Sequence, residues 1–187
     1  AREHGGGHRL ETPYVVNMHA AHVLADAQPV WTFCHDQPGG SPIQKLEAVP
    51  GGSARQRLEP TPGASAPEAL ARRRWAANAH NQRASSTSFS ARTASVVHGL
   101  AGFFDAELYP GVELSICPAS HTPDMHSWFP MYFPIQHPLT VAPGARIDVH
   151  MWRRSLASKT WYEWCVDAGG DSSGIHNAGG HEFWIGQ

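Results

Sequence analysis

CPASHTPDMHSWFPMYFPIQHP, residues 117–138, constrains the fold more than any other stretch of this chain. Pro118, Pro123, Pro130, Pro134 and Pro138 recur through it. Proline inside a helix removes a hydrogen bond and clashes with the preceding turn, so the stretch is not a regular helix. Proline also lacks the donor that a central strand needs, which predicts an extended, stiffened path between strands. Yet Trp128, Phe129, Met131, Tyr132, Phe133 and Ile135 make it one of the most apolar parts of the chain. A rigid aromatic loop either plugs a barrel or presents a flat ring to a ligand. Which of these Trp128 does is the functional question.

Outward from this loop the pattern is that of strands. On the N-terminal side, residues 112–116 alternate: Val112, Leu114 and Ile116 against Glu113 and Ser115. Residues 92–109 form a long apolar run with Val96, Val97, Leu100, Phe103, Phe104 and Leu108, where Gly99 and Gly102 predict a bulge or bend. Residues 83–89 are polar but rich in Ser and Thr. Further back, residues 13–23 and 29–35 read as strands, the second with Trp31, Phe33 and His35 on one face. On the C-terminal side, Pro143-Gly144 marks a turn, and Ile147, Val149 and Met151 share a face. A strand over 159–166 carries Trp161, Tyr162 and Trp164. Gly169-Gly170 turns the chain, and a last strand is expected at 181–185. Short strands with a turn signal about every ten residues predict an all-β domain, barrel- or sandwich-like.

Residues 36–80 differ in character. They are rich in Gly, Pro, Ala, Ser and Arg and lack strand periodicity, as expected of a long, mostly irregular and flexible insertion. Good helix formers at 67–81 predict one short helix within it. Its Arg72-Arg73-Arg74-Trp75 cluster reads as a solvated helix face. Residues 1–12 read as a linker, and residues 13–187 as the β-domain.

Composition excludes several classes. A net charge of −2 argues against direct nucleic-acid binding or an anionic membrane surface. No run of about 18 apolar residues is present to span a bilayer. Cys34, Cys117 and Cys165 are an odd, scattered set, read as reduced, buried thiols of an intracellular protein. Thirteen histidines raise the question of a metal, but no His-x-His pair occurs, and His4/His8 and His19/His22 lack a helix or bulge to align them. No metal ligands are assigned. No Gly-x-Ser-x-Gly elbow points to a hydrolase. Glu163, the one acid in an aromatic strand, is expected to face water or pair with an arginine.

Three stretches together resemble the C-terminal β-barrel of type II protein arginine methyltransferases, which form symmetric dimethylarginine. The first is Pro13-Tyr14-Val15-Val16 through Pro29-Val30-Trp31-Thr32-Phe33-Cys34-His35. The second runs from Val97-His98-Gly99-Leu100-Ala101-Gly102-Phe103-Phe104 through Leu114-Ser115-Ile116 to His126-Ser127-Trp128-Phe129-Pro130. The third comprises Trp152-Arg153, Trp161-Tyr162-Glu163-Trp164, Ile175-His176-Asn177 and Ile185-Gly186.

The resemblance implies a substrate-side and oligomerisation domain. His126, Ser127, Trp128 and Phe129 are then the substrate-binding residues, with Trp128 walling the slot for the substrate arginine. Ser127 stands where asymmetric-dimethylating relatives carry histidine, and marks symmetric chemistry. At the position of His126 the family usually has phenylalanine; a protonated imidazole there would repel an arginine. S-adenosylmethionine and the paired glutamates that grip the guanidinium belong to an upstream domain. This chain begins where that domain would end, so the stretch alone is expected neither to bind the cofactor nor to methylate, and no catalytic residue is assigned to it. Implied partners are arginine-containing proteins such as histones and RNA-binding proteins, the upstream cofactor domain, and further copies of the parent, with residues 2–12 in dimer contacts. The implied location is cytoplasmic or nuclear. The alternative from another class is a stand-alone β-sandwich that binds a sugar or peptide through exposed Trp128, Trp161 and Trp164.

Overall fold

A computed structural model describes residues 8–33 and 83–186. The expected insertion at 36–80, its helix at 67–81 and Cys34 lie outside the described residues.

Among the described residues ten strands follow one another: β1 (Tyr14–Val15), β2 (Arg83–Ser90), β3 (Ser95–Gly102), β4 (Asp105–Tyr109), β5 (Val112–Ser115), β6 (Met131–Val141), β7 (Arg146–Ser155), β8 (Lys159–Ala168), β9 (Asp171–Ser172) and β10 (Ile185–Gly186). The helical content of the described residues is two 3-10 turns, His8–Glu11 and Ala178–Gly180. The all-β expectation holds. One sheet runs β1-β6-β3, a second runs β10-β8-β7-β2 with β9 beside β8, and β4 and β5 form a separate hairpin. Among the described residues no strand pairing joins the two larger sheets, so the domain is sandwich-like and not a closed barrel.

The two sheets meet through the alternation of their strands. β7 buries Ile147, Val149 and Met151, as its period of two predicts. β8 adds Trp164, Val166 and Ala168, and β3 and β6 supply Val97, Phe133, Ile135, Leu139 and Val141. Phe133 meets Trp164 edge to face at 5.3 Å. The Trp164 indole N–H donates across the core to the Pro134 carbonyl at 2.7 Å.

β6 corrects the reading of the proline-rich stretch, because residues 131–141 form a strand despite Pro134 and Pro138. The ladder shows why. Met131 to Pro134 pair with Gly102 to Gly99, and pairing resumes with Leu139 opposite Val97. Residues 135–138 therefore bulge opposite His98 alone, and Pro138 falls where no ladder donor is required. β1 pairs only with Met131 and Tyr132, so Pro134 has no strand on that side. Gly99 makes the close approach feasible: a Cβ there would lie 2.4 Å from the Phe133 carbonyl oxygen.

Three other expectations are revised. Of residues 13–33 only Tyr14 and Val15 form a strand, because only they lie beside β6. The rest is coil, yet Leu24, Val30 and Trp31 still pack on the core, with Trp31 stacked on Tyr162 at 6.2 Å. The run 92–109 splits at a corner into β3 and β4. The strand expected at 181–185 shrinks to β10, because Asn177 captures the chain before it. The Asn177 side-chain carbonyl accepts the N–H groups of Glu182 and Phe183, both at 3.1 Å, so these cannot join a ladder.

Candidate functional site

The loop between β5 and β6 is short of regular structure but tied down at both ends. At its start the Ser115 N–H donates to the Thr122 hydroxyl and the Thr122 N–H to the Ser115 carbonyl, both at 2.9 Å. The Ser115 hydroxyl donates to Asp105, accepts the Cys117 N–H at 3.0 Å and lies 2.8 Å from the Ser120 hydroxyl. Ser120 also donates to Asp105 at 3.2 Å. Ile116 is buried, and its N–H donates to the Phe104 carbonyl at 3.0 Å. At the far end the Pro130 carbonyl accepts the Val16 N–H at 3.0 Å, and the chain enters β6. Between the anchors Pro123 is followed by Asp124 at φ 62°, a left-handed conformation that aspartate tolerates better than most side chains.

Trp128 sits on this braced segment and points outward. It is 57% exposed, and its ring meets that of Phe104 at 5.4 Å with the planes 70° apart. Phe129 beside it is 40% exposed, and Ser127 and His126 are exposed as well. The four sequence-predicted residues thus share one surface. The His126 ring lies 3.7 Å from the Asp124 carboxylate, with both side chains in solvent, where such a pair has little energetic weight. An open groove of about 650 Å³ flanks the Asp105–Ser115–Ser120 cluster and carries Asp105, Glu107 and Glu113. Its negative lining favours a cationic visitor.

The other aromatic candidates are elsewhere. Trp161 is 7% exposed and Trp164 is 0% exposed, so neither can present a ring to a sugar or peptide. Trp161 lies under the 3-10 turn at Gly180, and Trp164 fills the core. The alternative of a three-tryptophan binding face is therefore excluded by burial. Glu163 is a structural acid, as its expected pairing implied: it accepts the Trp161 indole N–H and the Gly179 N–H, both at 2.8 Å, and pairs with Arg154 at 3.4 Å. Burial pushes its carboxyl up, but these donors and the Arg154 charge outweigh burial and hold it below the usual carboxylate range. Cys165 is buried as expected, and Cys117 is half-buried.

Sequence reasoning missed the support of the loop. Phe104 is hidden in an apolar run, and Ser115 reads as an outward residue of an alternating strand although it is buried. Asp105, Ser115 and Ser120 meet only when the hairpin and the loop are folded together, and no local spacing announces that.

The family model of the PRMT5 oligomerisation domain matches residues 2–185. The chain belongs to this family. "Protein arginine N-methyltransferase 5" of Oryza sativa subsp. indica is 38% identical over 180 residues, covering 95% of this chain and 22% of the relative. The protein of the same name from Xenopus laevis is 33% identical over 178 residues, with 95% and 22% covered. "Protein arginine N-methyltransferase skb1" of Schizosaccharomyces pombe is 44% identical over 94 residues, 49% of this chain and 15% of the relative. The oligomerisation domain thus spans about a fifth of the length of these two curated relatives, each matched over 95% of the chain.

Among the described residues of the oligomerisation domain no glycine-rich turn leads from a strand into a long helix, the arrangement that cradles a nucleotide-like cofactor. No step through S-adenosylmethionine is assigned to these residues.

Proposed function

We propose that this chain is the substrate-side and oligomerisation domain of a protein arginine N-methyltransferase that takes methyl groups from S-adenosylmethionine and forms symmetric dimethylarginine. The cofactor is held by another domain. The observation that carries the reading is the Trp128 ring, open to solvent on a loop braced at both ends. An indole in that state can receive a flat guanidinium. Cation–π attraction contributes roughly 0.5–2 kcal/mol as water leaves the contact. Stacking also fixes the plane of the guanidinium, so that one terminal nitrogen can line up with the methyl donor. Phe129 extends the wall, and the small Ser127 leaves room for the rotamer of a symmetric product. The partners are arginine-bearing proteins, histones and RNA-binding proteins among them, in the cytoplasm or nucleus, and further copies of the same chain.

The test is Trp128→Ala in the methyltransferase that carries this domain. Methyl transfer to an arginine peptide is expected to fall by about 100-fold or more, since misplacing a reacting group by even an ångström has that order of effect. A radiolabelled methyl assay reads it, and a rate equal to that of the parent enzyme rejects the reading.

A further inference from the structure

An indole that orients a guanidinium must itself hold one plane, and a side chain that is 57% exposed is held by packing only in part. Phe104 supplies the missing constraint. It is half-buried at the corner between β3 and β4, and its ring meets the Trp128 ring at 5.4 Å and 70°. Aromatic rings favour this edge-to-face arrangement because the positive rim of one meets the negative face of the other. Whichever ring supplies the rim, at least one indole face stays clear of Phe104.

The Phe104 corner is also fastened to the loop. Its carbonyl accepts the Ile116 N–H at 3.0 Å, and the next residue, Asp105, holds the hydroxyls of Ser115 and Ser120. The corner that carries Phe104 is therefore tied to the start of the loop that carries Trp128.

We propose that Phe104 is a positioning residue for the arginine slot, fixing the Trp128 indole in a single plane with one face free for the guanidinium. This rests on the reading of Trp128 as the slot wall. Without the Phe104 ring the indole turns about its side-chain torsions. It still attracts a cation, but in a spread of planes. Binding then persists while alignment with the methyl donor is lost, so the defect falls on kcat and not on KM.

Two measurements test this. The first uses the 187-residue chain labelled with 5-fluorotryptophan, with the Trp128 fluorine resonance assigned by its loss in Trp128→Phe. Phe104→Leu is expected to move the Trp128 resonance and leave that of core Trp164 in place; an unmoved Trp128 resonance overturns the contact. Phe104→Met is the second variant should the leucine disturb the Trp164 signal. The other measurement is kinetic, in the methyltransferase carrying this domain. Phe104→Leu is expected to lower kcat by about tenfold with KM within about twofold, and to raise the share of monomethylarginine, while Phe104→Tyr retains the parent rate. A parent-like kcat in Phe104→Leu, or a rise in KM alone, overturns the positioning role while a dead Trp128→Ala upholds the slot. A fully active Trp128→Ala overturns the slot and this proposal with it.

Discussion

Trp164 and Trp128 carry the same ring into opposite surroundings. Trp164 comes from the middle of β8, has no exposed surface, donates its N–H to the Pro134 carbonyl at 2.7 Å and stacks on His176 at 5.4 Å. Trp128 comes from a loop, is 57% exposed and touches Phe104 by an edge-to-face contact. Strand alternation drives the first ring between the sheets. Backbone anchors at Thr122 and Pro130 keep the second outside them. One aromatic residue is therefore sealed in the core and the other left on the surface, and the difference lies in the backbone that carries it.

The contrast is sharpest in truncation. Trp164→Ala is expected to destabilise the fold by about 3–5 kcal/mol, from lost packing and the cavity left behind. It also leaves the buried Pro134 carbonyl without the indole donor. Trp128→Ala should change stability by no more than about 0.5 kcal/mol, as surface substitutions do. Urea unfolding of the two variants reads both values. Equal losses would break the comparison, and with it the claim that Trp128 is spared from the core.

How much of this was legible in sequence follows from the range of the forces involved. The alternation of Ile147, Val149 and Met151 is a local signal, and the shared face that it predicts is the one the core buries. The strand around Trp161 and Trp164 was equally plain, but its burial was not: residues three apart on a strand face opposite ways, and Trp161 is covered by the turn at Gly180 and by the Lys159 ammonium at 4.6 Å from its ring centroid. β6 was misread because the proline rule is local, while its exception depends on a bulge against β3 and on the shortness of β1. The Trp128 neighbourhood was legible as a braced aromatic loop. Its clamp was not, since Phe104 and the Asp105–Ser115–Ser120 cluster are set by tertiary contact.

The core side of the comparison has its own polar organiser, Asn177, and removing it is the next largest effect expected. Asn177 is fully buried at φ 52°, a left-handed conformation that asparagine tolerates better than most side chains. Its amide donates to the carbonyls of Tyr162 and Phe183, both at 2.9 Å, and its side-chain oxygen accepts two backbone N–H groups. Asn177→Ala strands all four of these groups. A loss of about 1–3 kcal/mol is expected from unmet buried hydrogen bonds, read as a lower urea midpoint. Hydrogen exchange should rise at Glu182 and Phe183 before it rises at Val149. Exchange that rises evenly across the sheets would mean that Asn177 is no local organiser.

The smallest effect is a proton on His176, the residue stacked against Trp164. His176 is 2% exposed, and its Nε2 accepts the Gln136 N–H at 2.8 Å, which requires that nitrogen to be unprotonated. Burial pushes the imidazole pKa below its ordinary value of about 6.5, with the charge of His137 acting the same way; the carbonyls of Trp164 and Gly174 and the charge of Glu11 act in the opposite sense but do not prevail. Above pH about 6.5 the ring is neutral in both folded and unfolded chains, and its contribution is fully present. As pH falls below that value the unfolded chain takes up a proton that the folded chain refuses, so stability drops until the lower folded pKa is passed and then levels off. Urea midpoints at pH 7.5 and 5.5 should therefore differ more in the parent chain than in His176→Gln, which has no proton to take up at that position. Equal differences in the two chains would show that the His176 ring is as readily protonated inside the fold as outside it, and that the Trp164 side of the molecule is less sealed than its packing implies.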